Sequence, residues 1–239
     1  MNSHGALRIA YFAENFPSTS ETWIHHEILE LQRLGCTVRV FATHSRPKSV
    51  PEELQGFFGI TTYLPELSRP LTKAVWRILK ACLLVPVVKG LMSDADGLRR
   101  KVQVFRDLVY AGFLFPFVSD FRPDVLFAHF AGTRTNLAMF CSALGGFPFG
   151  FKMHASDVFR RAALFHLKVS RSAQIMTISS YNIEFIKRHY PDIDISRFQK
   201  HACGIPLDDY LFQSSRHVNE IPTILGVGRL VRMKGFDVL

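Results

Sequence analysis

The chain has 239 residues, of which 48% are hydrophobic and 21% are charged. This composition allows a large buried core and excludes a disordered protein, and the sequence contains no long low-complexity tract. The formal net charge of +9 favours anionic partners, whether phosphorylated substrates, anionic lipid or nucleic acid. The four cysteines are scattered and form no C-x-x-C pair, and residues 1–7 carry no apolar signal sequence. Both features predict reduced thiols and a cytoplasmic location.

Strand-like and helix-like segments alternate along most of the chain. Short apolar or β-branched runs predict strands at residues 8–12, 37–42, 60–64, 124–128, 149–153, 175–178 and 200–203. Helical patterns lie at residues 18–35, 133–144 and 180–189. Because strands that alternate with helices usually pair in parallel, we expect an α/β fold with one parallel sheet and helices on both of its faces.

The loop after the first strand contains small polar residues and leads into a helix. Ser18 and Glu21 have the spacing of a capping box, and Gly35 marks the predicted end of that helix. Free N–H groups at a helix N-terminus also hold anions or sugar hydroxyls. The loop therefore has two interpretations, a simple cap or a binding loop, and one residue can serve both.

The segment of residues 69–107 differs from the rest because it is both apolar and basic. It contains nine Lys or Arg residues and three Asp residues, so it carries a charge of +6. The basic residues that interrupt its apolar part, 71–92, argue against a membrane span. Two interpretations remain: a pair of core helices with basic outer faces, or an amphipathic helix that lies on an anionic membrane surface.

The C-terminal part of the chain predicts the start of a second domain. Residues 205–221 are rich in turn residues and form the predicted linker between a domain of residues 1–204 and a segment of residues 222–239. Residues 223–228 predict a buried strand, and residues 235–239 predict the beginning of a helix. A single βα unit cannot bury its own apolar faces, so we expect the natural protein to continue beyond it.

Polar side chains follow the predicted strands, at the edge where an open parallel sheet binds its ligands. His129 and Thr133 come after one strand, and His154 and Asp157 come after the next. A metal site is not expected, because the two histidines have no further ligands at suitable spacing. The sequence also lacks a G-x-S-x-G elbow and has no G-x-G-x-x-G after its first strand, which argues against a serine hydrolase and a dinucleotide-binding site.

Four blocks of sequence, in this order and spacing, resemble the retaining glycosyltransferases of family 4. They are Phe16-Pro-Ser-Thr-Ser-Glu-Thr-Trp-Ile with a following His-x-Glu, His129-Phe-Ala-Gly-Thr, His154-Ala-Ser-Asp-Val-Phe and Gly228-Arg-Leu-Val-Arg-Met-Lys-Gly. The resemblance is to the subgroup of exopolysaccharide and colanic-acid-type biosynthesis, and it covers nearly the whole chain outside residues 71–107. It implies the GT-B architecture of two Rossmann-like domains, the second represented here by its first βα unit.

The resemblance also implies roles for individual residues. In such enzymes the N-terminal domain holds the acceptor and the C-terminal domain holds the nucleotide sugar. His154 matches the histidine that faces the transferred sugar, and Asp157 would orient it or bind acceptor hydroxyls, unless it is only a carboxylate at a helix N-terminus. Both are the expected catalytic residues. The expected acceptor-binding residues are Ser18, Ser20, Glu21, His129 and Thr133.

On the donor side, Arg229 and Lys234 match the basic pair that binds the diphosphate, so that no metal and no other cofactor is expected. The donor would be a UDP- or GDP-linked sugar, and the expected acceptor is a lipid-linked saccharide at the inner face of the plasma membrane. This sequence departs from the pattern at Phe16-Pro17-Ser18, where many relatives have a glycine pair. The family's two donor-binding glutamates would lie beyond Leu239, so we expect no sugar transfer by this chain alone.

One alternative is a non-catalytic fragment that binds a membrane or an acceptor. Nucleic-acid binding is disfavoured, since the sequence has no RNP, KH or helix-turn-helix pattern and most of its excess charge lies in one segment.

Overall fold

The computed structural model describes residues 6–64, 76, 89, 97–159, 162–207, 224–228 and 230–238. Contacts within the chain divide it into one unit that ends at Ile205 and a second unit that begins at Pro206.

Among its described residues, the first unit contains seven strands and six α-helices. The strands are β1 (Arg8–Ala13), β2 (Thr37–Ala42), β3 (Thr61–Tyr63), β4 (Val125–His129), β5 (Phe149–Met153), β6 (Gln174–Thr177) and β7 (Phe198–Lys200). The helices among the described residues are α1 (Thr22–Arg33), α2 (Leu98–Phe121), α3 (Thr133–Gly145), α4 (Ala155–Phe159), α5 (Phe165–Arg171) and α6 (Ser180–His189). Short 3-10 helices cover Glu52–Ile60 and Ile195–Arg197.

The strands form one parallel sheet in the order β3-β2-β1-β4-β5-β6-β7. The predicted α/β class with a parallel, Rossmann-like sheet is therefore confirmed. The chain builds the sheet in one direction from β1 to β3 and then returns to the other side of β1 with β4. Ligands of such sheets bind beyond the carboxyl ends of the strands at this reversal.

Two hydrophobic layers cover the two faces of the sheet, because neighbouring side chains on a strand point to opposite faces. On one face α1 packs over alternate residues of β1 and β2, with Ile28 fully buried between them. On the other face α2 and α3 pack over the remaining residues. This second layer includes Phe12, Phe41, Leu126, Phe149 and Phe151 from the strands.

Most predicted elements agree with the structure to within two residues. The strands at 37–42 and 149–153 and the helix at 180–189 have the predicted bounds. The prediction of a last strand at 200–203 was wrong, because β7 covers Phe198–Lys200. Its buried anchor is Phe198, which pairs with Ile175, whereas residues 201–203 are exposed.

The predicted capping box at the start of the first helix is not formed. The helix begins at Thr22, with Glu21 at the N-cap position, and no side chain caps it. Ser18 instead accepts the Glu21 backbone N–H with its carbonyl oxygen, while its hydroxyl lies 3.2 Å from that of Ser20. The end of the helix agrees with the prediction, since Gly35 has a φ of +88° just after the C-cap.

Helix α2 was not predicted from the sequence, where its first residues, 98–107, belong to the basic segment 69–107. The predicted helical part of that segment, 71–92, lies outside the described residues except for Trp76 and Lys89. Among the helices described, α2 is long and apolar enough to cross a membrane by length and composition. However, one of its faces belongs to the hydrophobic layer of the sheet, with Val104, Leu108, Leu114 and Val118 buried.

In the second unit, the described residues 224–228 form no strand, so the predicted buried strand at 223–228 was wrong. The side chain of Ile224 is 86% exposed, and those of Leu225 and Val227 are equally open. A strand needs a ladder partner and a covered face, and the described part of the chain provides neither here. A 3-10 helix at Arg232–Lys234 precedes a turn at 236–238, where a helix was predicted.

Candidate functional site

A polar cavity of about 410 Å³ opens at the carboxyl ends of β1 and β4, where the strand order reverses. Its walls come from the loop after β1, the loop after β4 and the first turns of α2, α3 and α4. The lining residues that carry charge or hydrogen-bonding groups include Glu14, Glu21, Arg100, Gln103, Thr133, Arg134, Asn136, Asp157 and Lys168.

An ion pair between Arg134 and Glu21 crosses this cavity wall. Two guanidinium nitrogens of Arg134 donate to the two carboxylate oxygens of Glu21 at 2.8 and 2.9 Å. The Glu14 carboxylate lies 3.8 Å from Nε of Arg134, and this buried Nε makes no hydrogen bond within the described part of the chain. A cation in the first turn of a helix opposes the helix dipole. The carboxylates of Glu21 and Glu14 therefore compensate the charge of Arg134.

A second polar group lies where α2 meets the N-terminus of α3. Gln103 donates to the Thr133 hydroxyl at 2.8 Å, and the Asn136 amide donates to Asp107 at 2.8 Å. Burial raises the pKa of Asp107, although hydrogen bonds from Asn136 and Arg106 act in the opposite direction. The Asn136 carbonyl oxygen has no partner among the described residues. The cavity wall thus contains one buried donor, Nε of Arg134, and one buried acceptor, the Asn136 oxygen, without a partner among the described residues.

Two histidines lie side by side next to the cavity. His129 is the last residue of β4 and His154 directly follows β5, so neighbouring parallel strands bring them together. Nδ1 of His129 is 3.1 Å from Nε2 of His154, and both rings are buried. The convergence of these residues at the sheet edge was predicted from the strand ends and is confirmed.

A glutamate from α1 completes the histidine pair. Oε1 of Glu27 lies 3.2 Å from Nε2 of His129 and accepts the Tyr11 hydroxyl at 2.5 Å. Lys152 donates to Oε2 of Glu27 at 3.4 Å and to Nδ1 of His201 at 3.0 Å. Because Tyr11, His129 and Lys152 alternate onto the sheet face that α1 covers, they all reach Glu27.

The electrostatics of this cluster keep Glu27 ionised and His154 neutral. Burial opposes ionisation of Glu27, but hydrogen bonds from His129 and Tyr11 and the charge of Lys152 outweigh it and lower its pKa to about 2. Burial, together with the neighbouring His129 and Lys152, lowers the pKa of His154 to about 3. Burial and the Glu27 carboxylate raise the pKa of Tyr11 well above its usual value.

Phe130 connects the histidine pair with the cavity. Its ring centroid lies 4.5 Å from that of His154 and 4.8 Å from the guanidinium carbon of Arg134. The residue has a φ of +67°, a left-handed conformation that costs a non-glycine residue roughly 1–2 kcal/mol. Such strain is concentrated at functional sites, where the surrounding structure holds it.

Asp157 fixes the loop between β5 and α4. One of its carboxylate oxygens accepts the His154 backbone N–H at 2.9 Å, and its own N–H donates to the His154 carbonyl at 3.0 Å. Burial raises the pKa of Asp157 to about 6, against the opposing effects of the backbone N–H groups of His154 and Ala131 and of the Lys168 charge. Asp157 thus orients the backbone of His154, and its carboxyl group lines the cavity.

Only some of the predicted site residues line the cavity. Glu21, Thr133 and Asp157 line the cavity, and His129 and His154 lie next to it; Ser18 and Ser20 belong to the same loop as Glu21 but are not among the described lining residues. Arg229 lies outside the described residues, and Lys234 is exposed in the second unit. The binding and catalytic roles of all these residues remain predictions.

Glu27, Lys152 and Arg134 were not predicted as site residues, although each leaves a trace in the sequence. Lys152 interrupts an otherwise apolar strand, and Arg134 places a cation in the first turn of a helix. Glu27 lies in the block that carried the resemblance, yet it had no assigned partner. In the described part of the chain, no group of three or more His, Cys, Asp or Glu residues is placed to hold a metal ion.

Comparison with known proteins yields structural likeness only. No protein-family model and no curated protein matches the sequence. Among solved structures, the UDP-GlcNAc 2-epimerase from Neisseria meningitidis bound to UDP-GlcNAc has a TM-score of 0.50 and 14% identity, with coverage of 81% of this chain and 46% of the epimerase.

Two further solved structures, both complexes with UDP-sugars, have lower TM-scores. An alpha-glucosyltransferase in complex with UDP-glucose and DNA has a TM-score of 0.47 and 10% identity, with 86% of this chain and 45% of that chain covered. Phytolacca americana UGT2 complexed with UDP-2fluoro-glucose and pterostilbene has a TM-score of 0.44 and 10% identity, with 90% of this chain and 56% of UGT2 covered. The chain thus spans about half the length of these structures, and the likeness to the epimerase shows that it shares a Rossmann-like fold.

Proposed function

We propose that this chain forms the acceptor-binding half of a GT-B glycosyltransferase. The enzyme would transfer a hexosyl group from a nucleotide sugar to a saccharide acceptor, lipid-linked in the cell, during synthesis of a cell-surface polysaccharide. Such an enzyme would work in the cytoplasm, at the inner face of the plasma membrane. The four sequence blocks suggest this reaction, and the Rossmann-like fold is compatible with it.

The polar cavity at the strand reversal is the observation that carries the proposal. Sugar hydroxyls both donate and accept hydrogen bonds, so a site for them needs carboxylates, amides and cations together. Glu14, Asn136 and Arg134 supply these three kinds of group around one cavity, beside the aromatic ring of Phe130. The acceptor-binding roles of Glu21 and Thr133 follow from their positions in the same walls.

On the donor side, we propose a UDP- or GDP-linked sugar and no metal ion. The three similar structures named above contain UDP-GlcNAc, UDP-glucose or a UDP-fluoroglucose, which suits this choice of ligand. Arg229 and Lys234 would bind the diphosphate, because fixed cations stabilise the charge of such a leaving group. His154 would contact the transferred sugar, with its backbone oriented by Asp157.

Saccharide binding to the cavity tests the proposal. We expect NMR titration of the chain with a panel of neutral oligosaccharides to identify ligands that shift the signals of Thr133 and Arg134. Replacing Glu14→Gln removes a charged acceptor, worth about 1.5–3 kcal/mol, so affinity should fall at least about tenfold. The matched control Glu53→Gln changes an exposed residue of the Glu52–Ile60 helix and should not affect binding.

Absence of saccharide binding, or binding that Glu14→Gln leaves unchanged, would reject this use of the cavity. This chain alone is expected to transfer no sugar, so the test of its acceptor site is saccharide binding and not turnover.

A second candidate partner is an anionic membrane surface, and the N-terminal end of α2 favours it. Leu98, Val102 and Phe105 are 78%, 60% and 40% exposed, and their spacing places them on one stripe of the helix. The basic residues Arg99 and Lys101 alternate with this stripe. Cations are unfavourable at a helix N-terminus, so helix stability does not explain them, whereas binding to anionic lipid does.

Vesicle sedimentation tests the membrane contact. We expect binding to vesicles that contain phosphatidylglycerol and none to pure phosphatidylcholine. Each basic residue near such a surface contributes about 1 kcal/mol, so the double change Arg99→Gln and Lys101→Gln should weaken binding roughly thirtyfold. The control pair Lys187→Gln and Arg188→Gln, on the exposed end of α6, should not. Equal losses in the two pairs would show non-specific charge attraction instead.

A further inference from the structure

The contacts of the histidine cluster determine where its protons lie. An ionised carboxylate only accepts hydrogen bonds, so the proton between Glu27 and His129 belongs to Nε2 of His129. A neutral imidazole has one N–H, which makes Nδ1 of His129 an acceptor. The proton in the 3.1 Å contact therefore belongs to Nε2 of His154. Nδ1 of His154 is left without a proton and makes no hydrogen bond within the described part of the chain.

We propose that Glu27, His129 and His154 form a proton relay whose outer end is Nδ1 of His154. A proton accepted at this Nδ1 releases the Nε2 proton of His154, which passes to Nδ1 of His129. One proton enters, and no bond between heavy atoms forms or breaks. His154 stays neutral but changes from the Nε2–H to the Nδ1–H tautomer, and His129 becomes an imidazolium between His154 and the Glu27 carboxylate.

The surroundings favour this location of the positive charge. His129 lies 3.2 Å from the Glu27 carboxylate, which stabilises an imidazolium. On His154 the same charge would be buried without a carboxylate contact, and the pKa of that ring is lowered to about 3. His154 can therefore accept a proton near neutral pH only if the charge moves on to His129. In this scheme His154 is the candidate catalytic residue, and Glu27 and His129 are positioning residues.

Other charged and titratable groups face the relay from several elements. Tyr11 donates to the same Glu27 oxygen as His129, and Lys152 holds the other oxygen. Lys152 thus leaves Oε1 available to His129, although its charge opposes an imidazolium nearby. Among the described residues, further groups that act on the cluster electrostatically or by hydrogen bonds include Cys36, Arg134, Asp157, His201 and Cys203.

The relay is a property of the folded chain, and only its use in sugar transfer rests on the proposed function. In sugar transfer the proton donor would be a hydroxyl of a saccharide bound in the adjacent cavity, whose wall includes Phe130, the ring that packs on His154. The relay would then hold the proton of an acceptor hydroxyl while the oxygen forms its new bond to the sugar carbon and the nucleotide diphosphate leaves with the bonding electrons.

Long-range ¹H–¹⁵N NMR of the histidine rings tests the relay without any substrate. In the full chain at high pH we expect both His129 and His154 as Nε2–H tautomers. As pH falls, His129 should become doubly protonated, and in the same step His154 should change to the Nδ1–H tautomer. Two results would overturn the proposal: a His154 that carries Nδ1–H throughout, or a His154 that becomes the imidazolium in that step.

Three variants sharpen the test. In Glu27→Gln the coupled step should need an at least tenfold higher proton concentration and so occur at lower pH. In Glu30→Gln, on the exposed face of the same helix, the pH of the step should not change. His129→Asn offers an amide oxygen to His154 Nε2–H but cannot take its proton, so the tautomer change should disappear. The same change in His129→Asn would contradict the relay, even if Glu27→Gln fails to fold.

The relay and the acceptor site can be rejected independently of each other. Loss of the coupled step with intact saccharide binding rejects the relay alone, and the expected tautomers without saccharide binding reject the acceptor site alone.

Discussion

Asp157 is a buried carboxyl group whose ionisation opposes folding. Burial raises its pKa to about 6, although the backbone N–H groups of His154 and Ala131 favour its charged form. A carboxyl group with a raised pKa in the folded state contributes stability below its unfolded pKa of about 4. This contribution is lost as pH rises from there through about 6, because the unfolded chain then ionises more readily than the folded one.

Asp157→Asn should therefore become relatively more stable as pH rises. The amide keeps an oxygen that accepts the His154 N–H but never ionises. We expect the variant to gain about 2 kcal/mol over the wild type between about pH 4 and pH 7, since one pKa unit corresponds to about 1.4 kcal/mol. Urea denaturation at several pH values measures the difference. Ser156→Ala, next to it in the same cavity wall, serves as a control with no titrating group, and a pH-independent difference for Asp157→Asn would contradict the assignment.

At the scale of residues, the sequence predicted those site residues that directly follow strands. His129 and His154 could be placed at one edge because parallel strands have their carboxyl ends together. Glu27 and Lys152 could not be recognised as their partners, because that requires the face onto which each side chain projects and the angle at which α1 crosses the sheet. The capping box failed for a similar reason: Arg134, which is 113 residues away in sequence, takes the carboxylate of Glu21.

Among the elements, α2 combines a core face and an exposed apolar stripe. The buried positions Val104, Leu108, Ala111 and Val118 follow helical spacing. Apolar side chains also lie between them, as at Val102 and Phe105, so the sequence shows no clean alternation of polar and apolar faces. Because of that mixture, next to the basic residues, the helix was not predicted from the sequence. The same mixture explains why its composition resembles a membrane span.

The two faces of α2 should respond differently to truncation. Leu108→Ala removes a side chain that is 1% exposed and should destabilise the chain by about 3 kcal/mol through the cavity it leaves. Val102→Ala, on the open stripe, should change stability by less than about 0.5 kcal/mol. Denaturant unfolding of both variants makes the comparison. If the two changes cost the same, α2 does not pack on the sheet as described.

For the whole molecule, the alternation of strands and helices was enough to predict a parallel sheet. The order of the strands was not available from that pattern, because the alternation is the same whichever side of β1 receives β4. Yet this order decides where the polar cavity lies, since the cavity opens between the ends of β1 and β4. Residues 224–228 show that an apolar run alone does not make a strand, because a strand also needs a neighbouring strand to pair with.

The position of β1 inside the sheet, between β2 and β4, also affects how the protein is made. Ile9 pairs with Val38 on one side and with Val125 on the other, which are 29 and 116 residues later in the chain. A ribosome that adds about 5–20 residues per second needs roughly 4–17 s to synthesise the residues between these two partners. During that interval the nascent chain carries β1 with one backbone edge unpaired, and unpaired strand edges invite association with other chains. We therefore expect this protein to depend on chaperones that bind nascent chains until β4 emerges and pairs with β1.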